Sequence, residues 1–477
     1  MRRSYVAVDL GSSSGRVMLG SVSDDRITVT EVRRIPNAPV HRDDGWHWDV
    51  QRLFDEVLVG LQIAAGHTEL HGIAVDTWGV DYGLLDVDCR LLDEPYSYRD
   101  DRTLPMVAVA ESRIPAKRLY ESTGCQSAPI NTLYQLLADQ KAGRLDDTSH
   151  FLLIPDLFAF WLTGIIGADE SIASTTQILD PVARDWSWES IDAMRLPRRI
   201  FAPVRLTGSV LGPALPELGL PARTPVITAV GHDTAAAFAA ATGDPDQLVI
   251  SIGTWSLVGV ELSEPLISEA SREANFTNEI GVLGSFRFLR NAAGLWLIQE
   301  CLREWEADSV SELITAAEAA PPFTSLFDPD DRRFMEPGPM VERIVSAGDK
   351  PIACTRGAVT RSILESLSLN YRWLLERLEP VLGRSLSRIR IVGGGSQNRL
   401  LCQMTADAIG RPVIAGPAEA TAIGNIAMQA IATGQIADLE SARALIDRSF
   451  PLVRYEPSPN RSAWNTAYER WRVIVNR

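Results

Sequence analysis

Three short stretches carry the residue types that handle phosphate. DLGSSSGR from Asp9, SIGTWS from Ser251 and VGGGSQN from Val392 each end an apolar run in a turn of glycine and hydroxyl residues. Glycine lets backbone N–H groups approach an anion closely, and Ser or Thr hydroxyls add donors, so together these turns could cradle a polyphosphate. None fits GxxxxGK[ST] or a strand-GxGxxG-helix unit with its distal acid, so P-loop and Rossmann readings fail. A fourth stretch, PVITAVGHDTAAAFAAAT from Pro225, sets Asp233 between a β-branched run and an alanine-rich helix. Asp233 is either the N-cap of that helix or a catalytic carboxylate held at its N-terminus. Asp9, at a strand end, either bonds the turn amides or holds Mg²⁺ through water, since Mg²⁺ is usually shared between one or two carboxylates and substrate phosphates. Arg16 is a plain strand residue or a forked donor steering phosphate.

These positions require strands that stop where the turns begin. YVAVDLGSSSGRVMLGSV from Tyr5 reads as strand, tight loop, strand, and QLVISIGTWSLVGVEL from Gln247 repeats the pattern about half a chain later. Beyond each copy come a helix and a further apolar strand, HGIAVDTW from His71 and SRIRIVGGG from Ser387. That resembles a duplicated domain. Helical periodicity follows from Ala358, and the runs from Ser396 and Ala418 each end near a glycine. Strands alternating with helices predict an α/β fold with a largely parallel central portion. The Pro/Gly-rich stretch from Leu206 predicts a surface loop, and AAPPFTSLFDPDDRRFMEPGPM from Ala319 a second loop running over the surface. The division expected is residues 1–245 and 246–477, with helices of 440–477 packed on the C-terminal part.

The bulk composition narrows the partners. A chain of 477 residues exceeds what one core usually holds. A net charge of -15 argues against a nucleic-acid or anionic-membrane surface and favours a small molecule. The five cysteines are scattered and never form CxxC, which predicts reduced thiols, a cytoplasmic setting and no zinc site. MRRSYVAVDLGSSSG has the arginines of a signal peptide, but its apolar run is too short, so a strand is expected. No stretch approaches the roughly 20 apolar residues of a membrane span.

The ordered set DLGSSSGRVML, WGVDYGLLD at Trp78, YRDDRT at Tyr98, NTLYQL at Asn131, PDLFAFWLTG at Pro155, TTQILD at Thr175, GHDTAAA, SIGTWSL, NAAGLWLIQE at Asn291, IVGGGSQNRLLCQMTADA and GPAEATAIGN resembles the FGGY family of carbohydrate kinases. The resemblance implies two ribonuclease H-like domains of the actin and sugar-kinase type with a catalytic cleft between them, the sugar mainly on the N-terminal domain and ATP on the C-terminal one. It implies transfer of the γ-phosphoryl of MgATP to the 1-hydroxyl of a ketose, with L-rhamnulose expected and L-fuculose, L-xylulose or a similar ketose or polyol as rivals. An actin-like ATPase switch is the rival of another class. By the same resemblance Ser12, Ser13, Ser14, Gly15, Arg16, Thr254 and Gly394 contact ATP phosphates, and Gln299 lies in the nucleotide site. Gly79, His232, Asp233, Thr234 and Asn291 hold the ketose, with Asp233 as general base. Ser12 stands where Ala is common in the family and Cys89 where Gly is usual. No disulfide is expected, and the chain is expected to act as a monomer or homodimer.

Overall fold

The computed structural model describes residues 2–221, 223–241 and 243–476. In chain order the strands of interest are β1 (Arg3–Leu10), β2 (Ser14–Val22), β3 (Ile27–Pro36), β4 (Ile73–Thr77), β5 (Ser209–Pro213), β6 (Pro225–Thr228), β7 (Gln247–Ile252), β8 (Trp255–Leu262), β9 (Thr277–Ile280), β10 (Phe286–Ala293), β11 (Arg388–Val392), β12 (Val413–Ala415) and β13 (Val453–Tyr455). The helices used below are α1 (Val50–His67), α2 (Asp233–Ala241), α3 (Arg356–Leu382), α4 (Arg399–Ile409), α5 (Ala420–Ala432), α6 (Leu439–Ser449) and α7 (Ser462–Val475).

The chain forms two compact units that are not contiguous in sequence. The first comprises residues 1–243, 261–289 and 420–449, and the second 244–260, 290–419 and 450–477. Both carry a break close to the expected division, but the first unit also gathers β9, β10 as far as Leu289, and the pair α5–α6. Helix α6 therefore lies in the first unit, where Arg443 pairs with Glu261 and donates to Ala239 O. Only the later part of 440–477 joins the second unit, through Trp464, Tyr468 and Trp471 of α7.

In the first unit the strand order is β5-β6-β4-β1-β2-β3. Strands β6, β4 and β1 run parallel, while β1/β2, β2/β3 and β5/β6 are antiparallel. The central strand β1 is apolar on both faces and buried along nearly its whole length, as a strand covered on both sides must be. Edge strand β3 instead displays Glu31, Arg33 and Arg34, charges that discourage further pairing. The stretch from Leu206 is less a loop than expected, because β5 pairs with β6 across a bulge between Val210 and Gly212.

Alanines make α2 thin, and Gly424 of α5 presses on the Ala236 carbonyl so closely that a Cβ there would collide with it. Small residues let the two helices pack backbone to backbone. Ala235, Ala236, Ala239, Ile227 and Met428 form the buried cluster that results.

The second unit repeats this plan. Strands β12, β11 and β7 are parallel, β7/β8 and β12/β13 antiparallel, giving β13-β12-β11-β7-β8. That is the order and sense of β5-β6-β4-β1-β2, so the duplication read from the glycine turns is present in the topology. The stretch from Ala319 differs from expectation: Leu326, Phe327 and Phe334 are buried. Trp471 Nε1 donates to Phe327 O at 2.9 Å and Trp296 Nε1 to Phe334 O at 3.0 Å, so the aromatic content of the segment makes it part of the core. Among the described residues, no helix is long and apolar enough to cross a membrane. All five cysteines are free thiols.

Candidate functional site

In the first unit the candidate residues lie where the parallel strands β1, β4 and β6 end, the usual place for ligands in open α/β sheets. Asp9 pairs in register with Arg16 across β2 and with Asp76 across β4. Arg16 Nη2 donates to Asp9 Oδ2 at 2.8 Å. Gly11 N donates to Ser14 O at 3.0 Å and Asn37 Nδ2 donates to Gly11 O at 2.8 Å, which shapes the turn that presents Ser12, Ser13, Ser14 and Gly15.

Asp76 is fully buried, and its Oδ2 accepts from Asn425 Nδ2 of α5 at 2.6 Å. Burial, then the charge of Asp9, pushes the Asp76 carboxyl well above the ordinary carboxylate range. Burial also raises Asp9, against the pull of Arg16. The sequence reading did not single out Asp76 or Asn425. The signal was there: IAVDT in β4 repeats the AVD of VAVDL in β1, and Asn425 interrupts an otherwise alanine-rich helix.

The GHDT turn leaves β6 and enters α2. Thr77 N donates to Gly231 O at 2.9 Å, tying the turn to the end of β4. Asp233 is the first residue of α2 and lies inside its first turn, one position past the N-cap. Its carboxylate makes short-range contacts: Thr234 Oγ1 donates to Oδ1 at 3.1 Å, and His232 Nε2 lies 3.4 Å from the same oxygen. The side chain is 28% exposed, so one edge remains open. Burial raises its pKa and outweighs the opposing effect of His232, with Asp9 adding to the rise.

Gly79 sits against this turn, and a Cβ on it would stand 3.2 Å from Thr175 Oγ1 and 3.3 Å from His232 Nε2. The WGVD loop that carries Gly79 is anchored by Asp81, whose carboxylate accepts from Trp48 Nε1 at 2.6 Å, Trp78 Nε1 at 2.9 Å, Gln135 Nε2 at 2.8 Å and Tyr98 N at 3.2 Å. Thus Gly79, His232, Asp233 and Thr234 are brought together in one unit, with Asp9 and Asp76 on the neighbouring strand ends.

Thr254, Gln299, Gly394 and Asn291 lie in the second unit. Gly253 N donates to Trp255 O at 2.8 Å, the counterpart of the Gly11 contact, and Trp296 N donates to Thr254 O at 3.2 Å. In the GGG turn, Gly393 has φ +78 and leans on Ile252 O, while Gly395 packs on the Ile252 side chain. The middle residue, Gly394, faces open space, as does Gly253 beside it on the adjoining strand end. Two glycines without a Cβ neighbour at adjacent strand ends leave room for an anion to approach the backbone closely. Gln299 Oε1, on the helix Trp296–Glu304, is buried with no hydrogen-bond partner among the described residues. Asn291 is on β10, whose end is held by Asp330: Ala293 N donates to Asp330 Oδ1 at 2.6 Å and Asn370 Nδ2 to Oδ2 at 3.0 Å.

Among the described residues, no group of three or more His, Cys, Asp or Glu is arranged to hold a metal ion by itself. Asp76 Oδ1 is nevertheless buried without a hydrogen-bond partner among the described residues, next in register to Asp9. One or two carboxylates of this kind fit a Mg²⁺ ion that takes its other ligands from water and substrate phosphates.

The N-terminal domain model of the FGGY family of carbohydrate kinases matches residues 4–239, and the C-terminal domain model matches 248–433. The chain belongs to the FGGY family of carbohydrate kinases. It is 39% identical to a rhamnulokinase of Bacteroides thetaiotaomicron, with 100% of each chain covered, and 39% identical to a rhamnulokinase of Enterococcus faecalis, covering 98% of this chain and 97% of that one. A rhamnulokinase of Pectobacterium carotovorum is 40% identical over 95% of this chain and 93% of its own. Among solved structures, a gluconate kinase and a xylulose kinase, both from Lactobacillus acidophilus, superpose with TM-scores of 0.79 at 16% and 17% identity, over 100% and 99% of this chain and 98% of each of theirs. Those likenesses establish this FGGY chain as a two-domain α/β sugar-kinase fold.

Proposed function

We propose that this FGGY kinase transfers the γ-phosphoryl group of ATP to the 1-hydroxyl of L-rhamnulose. The observation that carries the reading is similarity at 39% identity, along the full length, to proteins named rhamnulokinase. The grouping of Gly79, His232, Asp233 and Thr234 around one partly open carboxylate supports the same choice of sugar side.

Phosphoryl transfer passes through a loose transition state, so the protein contributes positioning and charge stabilisation more than covalent chemistry. Asp233 orients the 1-hydroxyl and takes its proton as the new O–P bond forms and the bond between the γ-phosphorus and the β,γ-bridging oxygen breaks; ADP leaves. Its raised pKa makes it a better proton acceptor than an ordinary surface Asp. His232, Thr234, Gly79 and Asn291 hold the ketose. Ser12, Ser13, Ser14, Gly15, Arg16, Thr254 and Gly394 bind phosphates, and Gln299 offers its unpartnered Oε1 to the nucleotide. Asp9, with Asp76 beside it, would hold Mg²⁺, which when bound neutralises charge on the phosphates. Free thiols at all five cysteines suit a cytoplasmic enzyme.

The test is ADP release by the purified chain across a panel of ketoses and polyols. L-rhamnulose is expected to give the highest kcat/KM. Preference for L-fuculose, L-xylulose or a polyol would replace the substrate within the family, and ATP turnover that no sugar stimulates would favour an ATPase switch.

A further inference from the structure

The ring of His232 is fixed from behind by a part of the first unit that no sequence motif marked. The hairpin β9–β10 pairs Glu279 with Arg287 in register, and both side chains are buried, Arg287 completely. Arg287 Nη1 lies 2.9 Å from Glu279 Oε2 and 2.9 Å from His232 Nδ1. Its Nη2 donates to Ile280 O at 3.1 Å and to Ser171 O at 3.3 Å, so the guanidinium plane is held on several sides. The backbone of the turn is gripped as well. Gly231 N donates to Asp169 Oδ1 at 3.2 Å and to Ser171 Oγ at 3.1 Å, and His232 N donates to Ser171 Oγ at 3.3 Å.

A guanidinium has donors and no acceptor. The contact between Arg287 and His232 can therefore form only if Nδ1 presents its lone pair, which leaves the ring proton on Nε2. Glu279 Oε2 is also near Nδ1, at 3.4 Å, farther than the 2.9 Å at which Arg287 Nη1 approaches it. On the far side of the ring, Nε2 points to Asp233 Oδ1 at 3.4 Å and to the bare Cα of Gly79.

We propose that Arg287, anchored by Glu279, locks His232 in the Nε2–H tautomer, so that His232 acts as a hydrogen-bond donor toward the Asp233 carboxylate and the sugar oxygen beside it. Arg287 and Glu279 are positioning residues for the ketose, since they act through His232. A fully buried ion pair is costly to form and weak evidence for stability, which fits a role in orienting a neighbour. The arrangement also bears on specificity: a donor at Nε2 favours a ketose that places an acceptor oxygen beside the Asp233 carboxylate.

The sugar role rests on the proposed function, but the tautomer can be read without turnover. In the full chain with ¹⁵N-labelled histidine, the ring signals of His232 are assigned by their loss in His232→Gln. The expected spectrum has Nδ1 unprotonated and Nε2 protonated; a ring protonated on Nδ1, alone or together with Nε2, overturns the proposal. In Arg287→Met the tautomer is expected to become mixed, and the ketose KM to rise about tenfold, the scale of one lost charge-assisted hydrogen bond. The KM for ATP should stay within about twofold by the same arithmetic, and Arg287→Lys should recover part of the ketose effect. Glu279→Gln, which keeps the volume, should show the same pattern more weakly. Unchanged tautomer and ketose KM in these variants, or equal loss toward ATP and ketose, would overturn the proposal. Absence of ketose turnover in the unaltered chain would instead overturn the functional reading and leave the tautomer result standing.

Discussion

The hairpins β1–β2 and β7–β8 share one backbone plan and carry different chemistry. Each ends its first strand one residue before a glycine, Gly11 or Gly253, whose amide closes back on a carbonyl of the turn. Two residues before that glycine stands Asp9 in one hairpin and Ser251 in the other. The parallel neighbour opposite is Asp76 for the first and Val392 for the second. The N-terminal copy thus gathers carboxylates whose burial raises their pKa, whereas the C-terminal copy offers neutral donors and bare glycine faces. A polyphosphate would be repelled by the first arrangement without a cation and accepted by the second. Under the proposed function, the duplicated fold would separate acid–base chemistry from anion binding by changing a few side chains at strand ends.

The largest effect is expected on the acidic side, at Asp233. Asp233→Asn should lower kcat by about 10² to 10⁴, the general-base scale. The pH profile gives an independent check. Because burial raises this group, kcat/KM in the unaltered chain should fall as pH drops through a value above 3.8, where Asp233 gains a proton. An acid limb at or below 3.8 would contradict the assignment.

Next in size, Asp9→Asn should raise the Mg²⁺ concentration needed for half-maximal rate about tenfold, as loss of one charged contact would. Unchanged metal dependence would break the contrast between the two hairpins. On the neutral side, Thr254→Val should raise the KM for ATP about threefold to tenfold, the scale of one hydrogen bond, and leave the ketose KM alone.

The smallest effect concerns stability. Asp76 holds its proton more tightly in the folded chain than at the ordinary value of 3.8, so the carboxyl costs stability as pH rises from about 3.8 through its raised folded value. Asp76→Asn should therefore raise Tm of the ligand-free chain, by about 2 °C or more, with a gain that grows with pH over that window. A lower Tm at neutral pH would show that Asp76 stabilises the sheet.

Local pattern made the fold legible. Glycine turns after apolar runs recur in both halves, and their spacing carries the duplicated sheet order. Asp233 and Gly79 stood out as candidates through the family resemblance, because each sits in a short motif. Asp76 and Asn425 carried only a faint local signal and Glu279 and Arg287 none, because their contacts are with partners far along the chain. Asn425 meets Asp76 across 349 residues and Arg287 meets His232 across 55. The segment from Ala319 read as surface loop because its prolines and charges hide Phe327 and Phe334, which the fold buries. Cys89, noted only as replacing a usual glycine, adopts φ +60, the left-handed conformation that favours glycine at such a turn.

The central claim is that Asp233 does the acid–base chemistry and takes no part in holding the nucleotide. It is tested most directly by measuring ATP affinity and L-rhamnulose-dependent ADP release in Asp233→Asn side by side. ATP affinity within about twofold of the unaltered chain, with turnover nearly abolished, is the predicted result. Near-normal turnover, or a loss of ATP affinity large enough to account for the lost rate, would contradict it.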